Sequence, residues 1–302
     1  SDGKNVLFDT HSSTRNVTIS GTLSPATMTV AGVYNYNIGG TGVLAGTMHF
    51  DKMGDSTLVL SGNHTYTGTT EIWEGNMWLN GSISASPVVV RRHANFGGKC
   101  ILGNGLTTEY NAGIQIGGIG VADTTTVAGT INLATGAKLI FDLSDNPTIQ
   151  TTANKVGGST FKNDYLKATG TLKISSGAIF LINELADSVS VGKYLLGNIN
   201  AVNGDLTTVK IQGTSGKSVE LSYETDTKNL YLIVKGTRSA SNIVWTGKTN
   251  GNWNIAKTIN WDNNGFADIF VANDSVTFNS NAIIKIVNIA DSIPAAYMEV
   301  NS

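Results

Sequence analysis

The sequence predicts an all-β chain wound as a right-handed parallel β-helix, a solenoid of irregular repeats, with a small Trp-containing β segment at its C-terminal end. Three observations carry this expectation. First, charged residues make up only 14% of the 302, while 35 are Gly and 4 are Pro. That composition lacks the Glu, Lys, Arg and Ala of helical surfaces and suits short strands joined by turns, where Gly and Asn accept positive φ. Second, apolar residues alternate in short runs such as 57–61 (TLVLS), 170–175 (GTLKIS) and 229–234 (NLYLIV), each bounded by Gly, Asn, Asp or Ser. Third, Leu58 and Leu60, then Ile72, then Met77 and Leu79 form three apolar ridges with glycines between them. These are the makings of one to two solenoid coils. Glycine punctuation at Gly62, Gly68, Gly75 and Gly81 fits two face-packed antiparallel sheets as well, so spacing leaves the sandwich open.

Composition also bounds the function. A hydrophobic share of 40% excludes wholesale disorder. A net charge of −2 gives no general attraction to nucleic acid or to an anionic membrane. Cys100 is the single cysteine, so there is no intramolecular disulfide and no CxxC or Cys/His cluster to bind a metal; no cofactor is expected. No apolar run reaches the length of a membrane span. Ser1-Asp2-Gly3-Lys4 lacks the features of a signal peptide, and the opening reads as the inside of a longer polypeptide whose other domains are expected neighbours.

Element by element, the chain divides into an N-terminal β segment (1–32), a β-helix (33–235) and a Trp-rich β segment (236–302). The stretch 235–241 (KGTRSAS) marks the second boundary by its charged and small residues. The best helix candidate, Asn183 to Ser188, is too short to matter.

Residues 57–81, TLVLSGNHTYTGTTEIWEGNMWLNG, resemble the autotransporter-associated β-strand repeat, of general form TLxLSGxNTYTGxTxIxxGTLxLxG. Leu58, Leu60, Ser61, Gly62, Asn63, Thr65, Tyr66, Thr67, Gly68, Thr70, Ile72, Gly75 and Leu79 stand at its expected places. Upstream, Tyr34 to Gly46 and Phe50 to Gly54 are similar to the family's lead-in. Downstream, 81–86, 95–103, 129–133, 137–143, 164–166 and 170–174 are similar to its later coils. The resemblance spans about residues 30 to 235 and is specific in 57–81. It implies a passenger-type β-helix, and so decides against the sandwich.

Two further patterns lie at the ends. Val276 and Phe278 stand 270 positions after Val6 and Phe8, and the same ungapped offset pairs Val17 with Val287, Ile19 with Ile289, Met28 with Met298 and Val30 with Val300. Both segments should therefore share one local structure and bury their Val-x-Phe and Met-x-Val residues alike. Residues 242–278 place Trp245, Trp253 and Trp261 at eight-residue spacing. This segment resembles the WxG…GxW…NW…DxVxF stretch that accompanies autotransporter-type repeats in large bacterial surface and polysaccharide-degrading proteins.

Three groups of residues invite a functional reading. Trp245, Trp253 and Trp261, with Asn252, Asn260 and Asp262 beside them, have the composition of a sugar-stacking platform; tryptophans of this kind also fill small cores. Arg91, Arg92 and His93, followed by Lys99, could form a basic strip. On a strand, Arg91 and His93 would share one face; the strip either holds an acidic sugar or merely protects a solvated edge. Carboxylates such as Glu71, Glu74, Asp142, Asp145 and Asp164 are numerous, but no pair stands out as the two that a glycosidase needs. No GxSxG, HExxH, Walker or EF-hand motif is present, and no catalytic residue is assigned.

The function expected from the resemblance is a non-catalytic structural or binding module of a large secreted or surface-exposed bacterial protein. It would present other domains or contact polysaccharide or cell-surface glycan, as an adhesin does. The alternative is a pectate-lyase-like β-helix enzyme, or an accessory region of one, using Arg91, Arg92, His93 or Lys99. A trimeric phage or capsule-associated spike is a third reading.

Overall fold

The computed structural model describes residues 2–147, 163–185, 189–289 and 291–301. The chain from Asn5 to Asn203 winds as a parallel β-helix, because each strand pairs with a strand one coil on rather than with its sequence neighbour. In one column, Asn5–Phe8, Thr27–Val30, His49–Lys52, Thr70–Ile72, Val88–Val90, Leu106–Thr108 and Ile131–Leu133 stack in parallel. A second column runs from Asn16–Ile19 through Tyr36–Gly40, Thr57–His64, Asn76–Ile83, Asn95–Gly98, Gly113–Ile116 and Lys138–Leu143 to Ile179–Glu184. A third joins the far half of Asn76–Ile83 to Cys100–Leu102, then to Thr124–Val127 and Tyr165–Ile174. Thr57 lies beside Asn76 and Asn76 beside Asn95, so a coil there takes 19 residues. Farther along, Lys138 lies beside Ile179, a step of 41.

Alternation within each strand makes the core. Leu58, Leu60, Ile72 and Leu79 are fully buried, whereas Thr57, Val59 and Ser61 face outward. The buried residues join into one cluster that runs from Ile19 to Val234, so every coil is covered by its neighbours, at roughly 1.5–3 kcal/mol per large apolar side chain buried. The corner between the second and third columns depends on stacked glycines. Gly62 and Gly81 lie side by side with φ of 117° and 148°, and a Cβ on Gly81 would come within 2.0 Å of the Gly62 carbonyl oxygen. Only glycine allows that approach.

Several sequence expectations are corrected here. Residues 5–30 are no separate segment before a boundary at 32: Asn5–Phe8, Asn16–Ile19 and Thr27–Val30 are coils in the same columns. The parallel order does not reach 235. Gly192–Asn203 pairs antiparallel with Asn229–Thr237, which pairs antiparallel with Lys217–Glu224. This hairpin lies at the far end of the solenoid core, into which it packs Leu230, Leu232 and Val234. In the helix candidate, Asn183 and Glu184 end a strand, while residues 186–188 lie outside the described residues. Among those described, the one helical turn is a 3-10 turn, Leu206–Thr208.

Nor is 235–241 a simple linker. Strand Asn229–Thr237 runs through its start, and Arg238, 12% exposed, donates from Nε to Asp268 at 2.8 Å and from both terminal nitrogens to Asp274 at 2.8 and 2.9 Å. Asp268 also accepts the Gly216 N–H at 2.8 Å. This buried ion-pair network pins the C-terminal unit to the hairpin. That unit has its own core of Ile243, Trp245, Trp253, Trp261, Phe270, Val276 and Ala282. Its sheet runs in the order Phe266–Asp268, Trp261–Asn263, Asn242–Trp245, Ser275–Phe278, Tyr297–Val300.

The 270-residue offset is real in structure. Val6 lies beside Met28 and Phe8 beside Val30 in a parallel ladder; Val276 lies beside Met298 and Phe278 beside Val300 in the same register. Burial differs, however. Met28 and Val30 are 3% and 1% exposed, Met298 and Val300 58% and 73%. The expectation that both copies bury these residues alike is wrong, because His49–Lys52 covers the first copy.

Candidate functional site

The first column of strands carries an outward stripe of polar and aromatic side chains. Where Phe50, Thr70, Ile72, Val88, Val90 and Leu106 point inward, the residues between them and at the following corner point out. Asp51 lies beside Glu71 and Glu71 beside Val89. Trp73 donates its indole N–H to Asp51 at 2.9 Å, and His49 Nε2 lies 3.2 Å from the same carboxylate oxygen. The Arg91 guanidinium sits 4.6 Å over the Trp73 ring and is clamped between Glu71, at 2.6 Å, and Glu109, at 2.7 Å. Hydrogen bonds to those two carboxylates raise the Arg91 pKa further, and the bond from Arg91 holds Glu109 below its usual range. Arg92 then lies 5.5 Å over the Tyr110 ring. Trp73 and Tyr110 remain 41% and 49% exposed. Two amphipathic rings, each lying against a guanidinium group, present apolar faces and hydrogen-bonding groups together, which is what a sugar ring requires.

The sequence candidates fare unequally against this geometry. Arg91 and Arg92 belong to the stripe, but the basic strip does not form as expected. Strand Val88–Val90 ends before them, His93 adopts φ 65° in a turn, and Arg91 and His93 share no strand face. His93 is exposed. Lys99 pairs with Asp123 at 2.9 Å, on the rim of a separate open groove of about 550 Å³ beside Asn63, Asn80 and Ile101.

Trp245, Trp253 and Trp261 do not form a platform. They are 1%, 3% and 1% exposed, and they pack edge to face, Trp261 lying 5.0 Å from Trp245 and 5.2 Å from Trp253. Trp245 donates to the Ile284 carbonyl at 2.7 Å. Asn260, fully buried, accepts the N–H groups of Thr249 and Asn250 and donates to Asn250 and Asn252. The eight-residue spacing built a core with a satisfied polar plug, and no face is left for a sugar.

The carboxylates sort likewise. Asp142 and Asp164 come together but are both fully buried. Asp164 accepts the backbone N–H of Asp142 at 2.7 Å and of Asp123 at 2.9 Å. Burial pushes its carboxyl up to about 9 against the pull of those donors. Neither group is open to a substrate. Sequence reasoning missed Trp73 and Tyr110 as site residues. For Trp73 the signal was present, since alternation around inward Ile72 sends it outward.

The coil beneath the stripe is tied together internally. Phe50 stacks on Tyr66 at 6.3 Å, whose hydroxyl lies 2.7 Å from Thr70, itself 2.9 Å from Ser86. Lys52 turns inward and donates to the carbonyls of Met53, Gly54 and Glu74 at 3.1, 2.6 and 3.2 Å; burial pulls its ammonium down to about 8. Residues 50–77 match the family model of the passenger-associated-transport-repeat. The chain carries this autotransporter passenger repeat. Such a repeat implies a secreted or surface-exposed protein. No curated protein matches the chain. Among the described residues no helix is long and apolar enough to cross a membrane.

Proposed function

We propose that the chain is a non-catalytic passenger-type module of a bacterial surface or secreted protein, and that it contacts neutral glycan along the Trp73–Tyr110 stripe while presenting neighbouring domains. The carrying observation is the pair of exposed rings, Trp73 and Tyr110, on the two coils that flank the Val88–Val90 coil, each held beside a guanidinium from that middle coil. The repeat at 50–77 supports a passenger role, and the β-helix supports presentation, since stacked coils propagate order along one axis.

Electrostatics favour a neutral ligand over a uronate. Arg91 already faces two carboxylates, and Asp51 adds a third along the same stripe. A lyase needs a cation left free to neutralise an acidic sugar, and Arg91 does not offer one. A glycan array with the intact chain, repeated with Trp73→Ala and Tyr110→Ala, tests this reading. Binding to neutral glycans that drops about fivefold to thirtyfold in each variant is expected, the loss of one stacking contact being worth of order 1–2 kcal/mol. Binding that survives both substitutions, or unsaturated uronate released from any polymer, overturns it.

A further inference from the structure

Arg91 is taken up by its own carboxylates, but two cations elsewhere are not. Lys217 and Lys257 both line a cleft of about 400 Å³ between the antiparallel hairpin and the C-terminal unit. The hairpin also supplies Ser215 and Thr237 to its walls, and the C-terminal unit supplies Ile259 and Ile269. Four of these six side chains end in hydrogen-bond donors, two ammonium groups and two hydroxyls. Among the described residues, none of the four has a hydrogen-bond or ion-pair partner within the chain. Lys193 and Lys235, in the same sheet, pair instead with Glu224 and Glu220.

No described carboxylate lines the cleft, and the acids around it are engaged. Asp268 accepts the Gly216 N–H, but its charge is met by Arg238. Glu184 senses Lys217, yet its carboxyl accepts the Val189 N–H at 2.9 Å. The walls are also held in place. Asn254 bonds Thr258 through both ends of its carboxamide, at 2.8 and 3.0 Å, and so fixes the loop that carries Lys257. Ala256 in that loop takes φ 55°, a left-handed conformation costly to alanine, and its N–H donates to the Phe270 carbonyl at 2.9 Å. Gly216 lies so close to Ile269 that a Cβ would come within 2.6 Å of that side chain. Unpaired cations thus stand beside apolar Ile259 and Ile269 in a site that needs little ordering on binding.

We propose that this cleft binds one residue of an acidic saccharide, a hexuronate. Its carboxylate meets the Lys217 and Lys257 ammonium groups, its hydroxyls meet Ser215 and Thr237, and the C–H face of its ring rests on Ile259 and Ile269. A bare anion would leave the isoleucines and most of the volume unused. A neutral sugar would leave both ammonium groups unpaired. The volume is at the lower end of the range for small-molecule sites, which suits a single pyranose. This goes beyond the glycan reading and does not rest on it, since Trp73 and Tyr110 lie on the solenoid coils.

The test is calorimetric titration of the intact chain with sodium galacturonate and sodium glucuronate, compared with galactose, glucose and sodium acetate. At least one uronate should bind about tenfold or more tighter than its parent sugar, and added salt should weaken it. Lys217→Gln and Lys257→Gln should each raise its Kd about tenfold, the net worth of one hydrogen bond to a charged group. Lys257 is exposed and unpaired, so its replacement leaves folding intact. Trp73→Ala and Tyr110→Ala should leave the uronate Kd unchanged, which keeps failure here distinct from failure at the stripe. Binding of neither uronate overturns the proposal, as does a parent sugar that binds equally well. Acetate binding as tightly as the uronate shows an adventitious ion only and overturns it too. So does uronate binding that survives both lysine substitutions or is lost with Trp73.

Discussion

Leu60 shows how tightly a single inward position is constrained. It is fully buried and lies between Ile38 and Leu79 on the adjacent coils. Leu60→Ala should cost about 2–5 kcal/mol, read from urea unfolding; Val59→Ala next to it should cost far less. His64, also fully buried, gives the coil an acid sensitivity. Burial pushes its pKa below the ordinary 6.5, with the Ser61 backbone opposing. The unfolded chain therefore takes up a proton that the folded chain refuses, and stability falls as pH drops below about 6.5. Urea midpoints at pH 7.5 and pH 5 should differ more for the native chain than for His64→Gln; equal differences would remove His64 as the cause. Inward leucines were legible in the sequence because alternation assigns faces. The side taken by Trp245, Trp253 and Trp261 was not, because composition does not say whether a tryptophan fills a core or covers one.

Strands and corners were legible as elements, but their partners were not. The runs around 57–81 announce strands and glycine turns, while the step from one coil to the next, 19 residues at Thr57 and 41 at Lys138, is set by insertions that no local pattern reveals. The switch to an antiparallel hairpin at 192–237 was hidden for a related reason. Strand Asn229–Thr237 alternates like any other, and its orientation is decided by the short turn that joins it to Lys217–Glu224. Among corners, Gly81 is exacting, combining φ 148° with a 2.0 Å clash for any Cβ, whereas Gly120, at φ 68°, has nothing within 4 Å. Gly120→Ala should therefore carry only the left-handed penalty of about 1–2 kcal/mol. Gly81→Ala should lower the urea midpoint clearly more, and equal midpoints would show that the corner relaxes freely.

For the whole molecule, the decisive connection is Arg238. Two separate apolar clusters meet around its ion pairs with Asp268 and Asp274. Arg238→Ala leaves those carboxylates buried without their cation, and should cost about 3–5 kcal/mol. The loss should fall on the C-terminal unit, so that tryptophan emission from Trp245, Trp253 and Trp261 changes before the far-ultraviolet signal of the solenoid. Coincident transitions, shifted together, would mean the two units fold as one. The sequence marked this place only as a charged, small-residue boundary, because a lone arginine between segments reads as solvent-exposed until its carboxylates, 30 and 36 residues away, are placed beside it.

The coil-to-coil pairing also keeps folding local. At Thr57 a strand finds its partner 19 residues on, so closing each loop demands little entropy, and contacts between distant parts of the sequence are not needed to complete a coil. A chain that becomes free a few residues at a time can therefore set each coil onto the last as soon as about two coils are available, without waiting for the rest of the sequence.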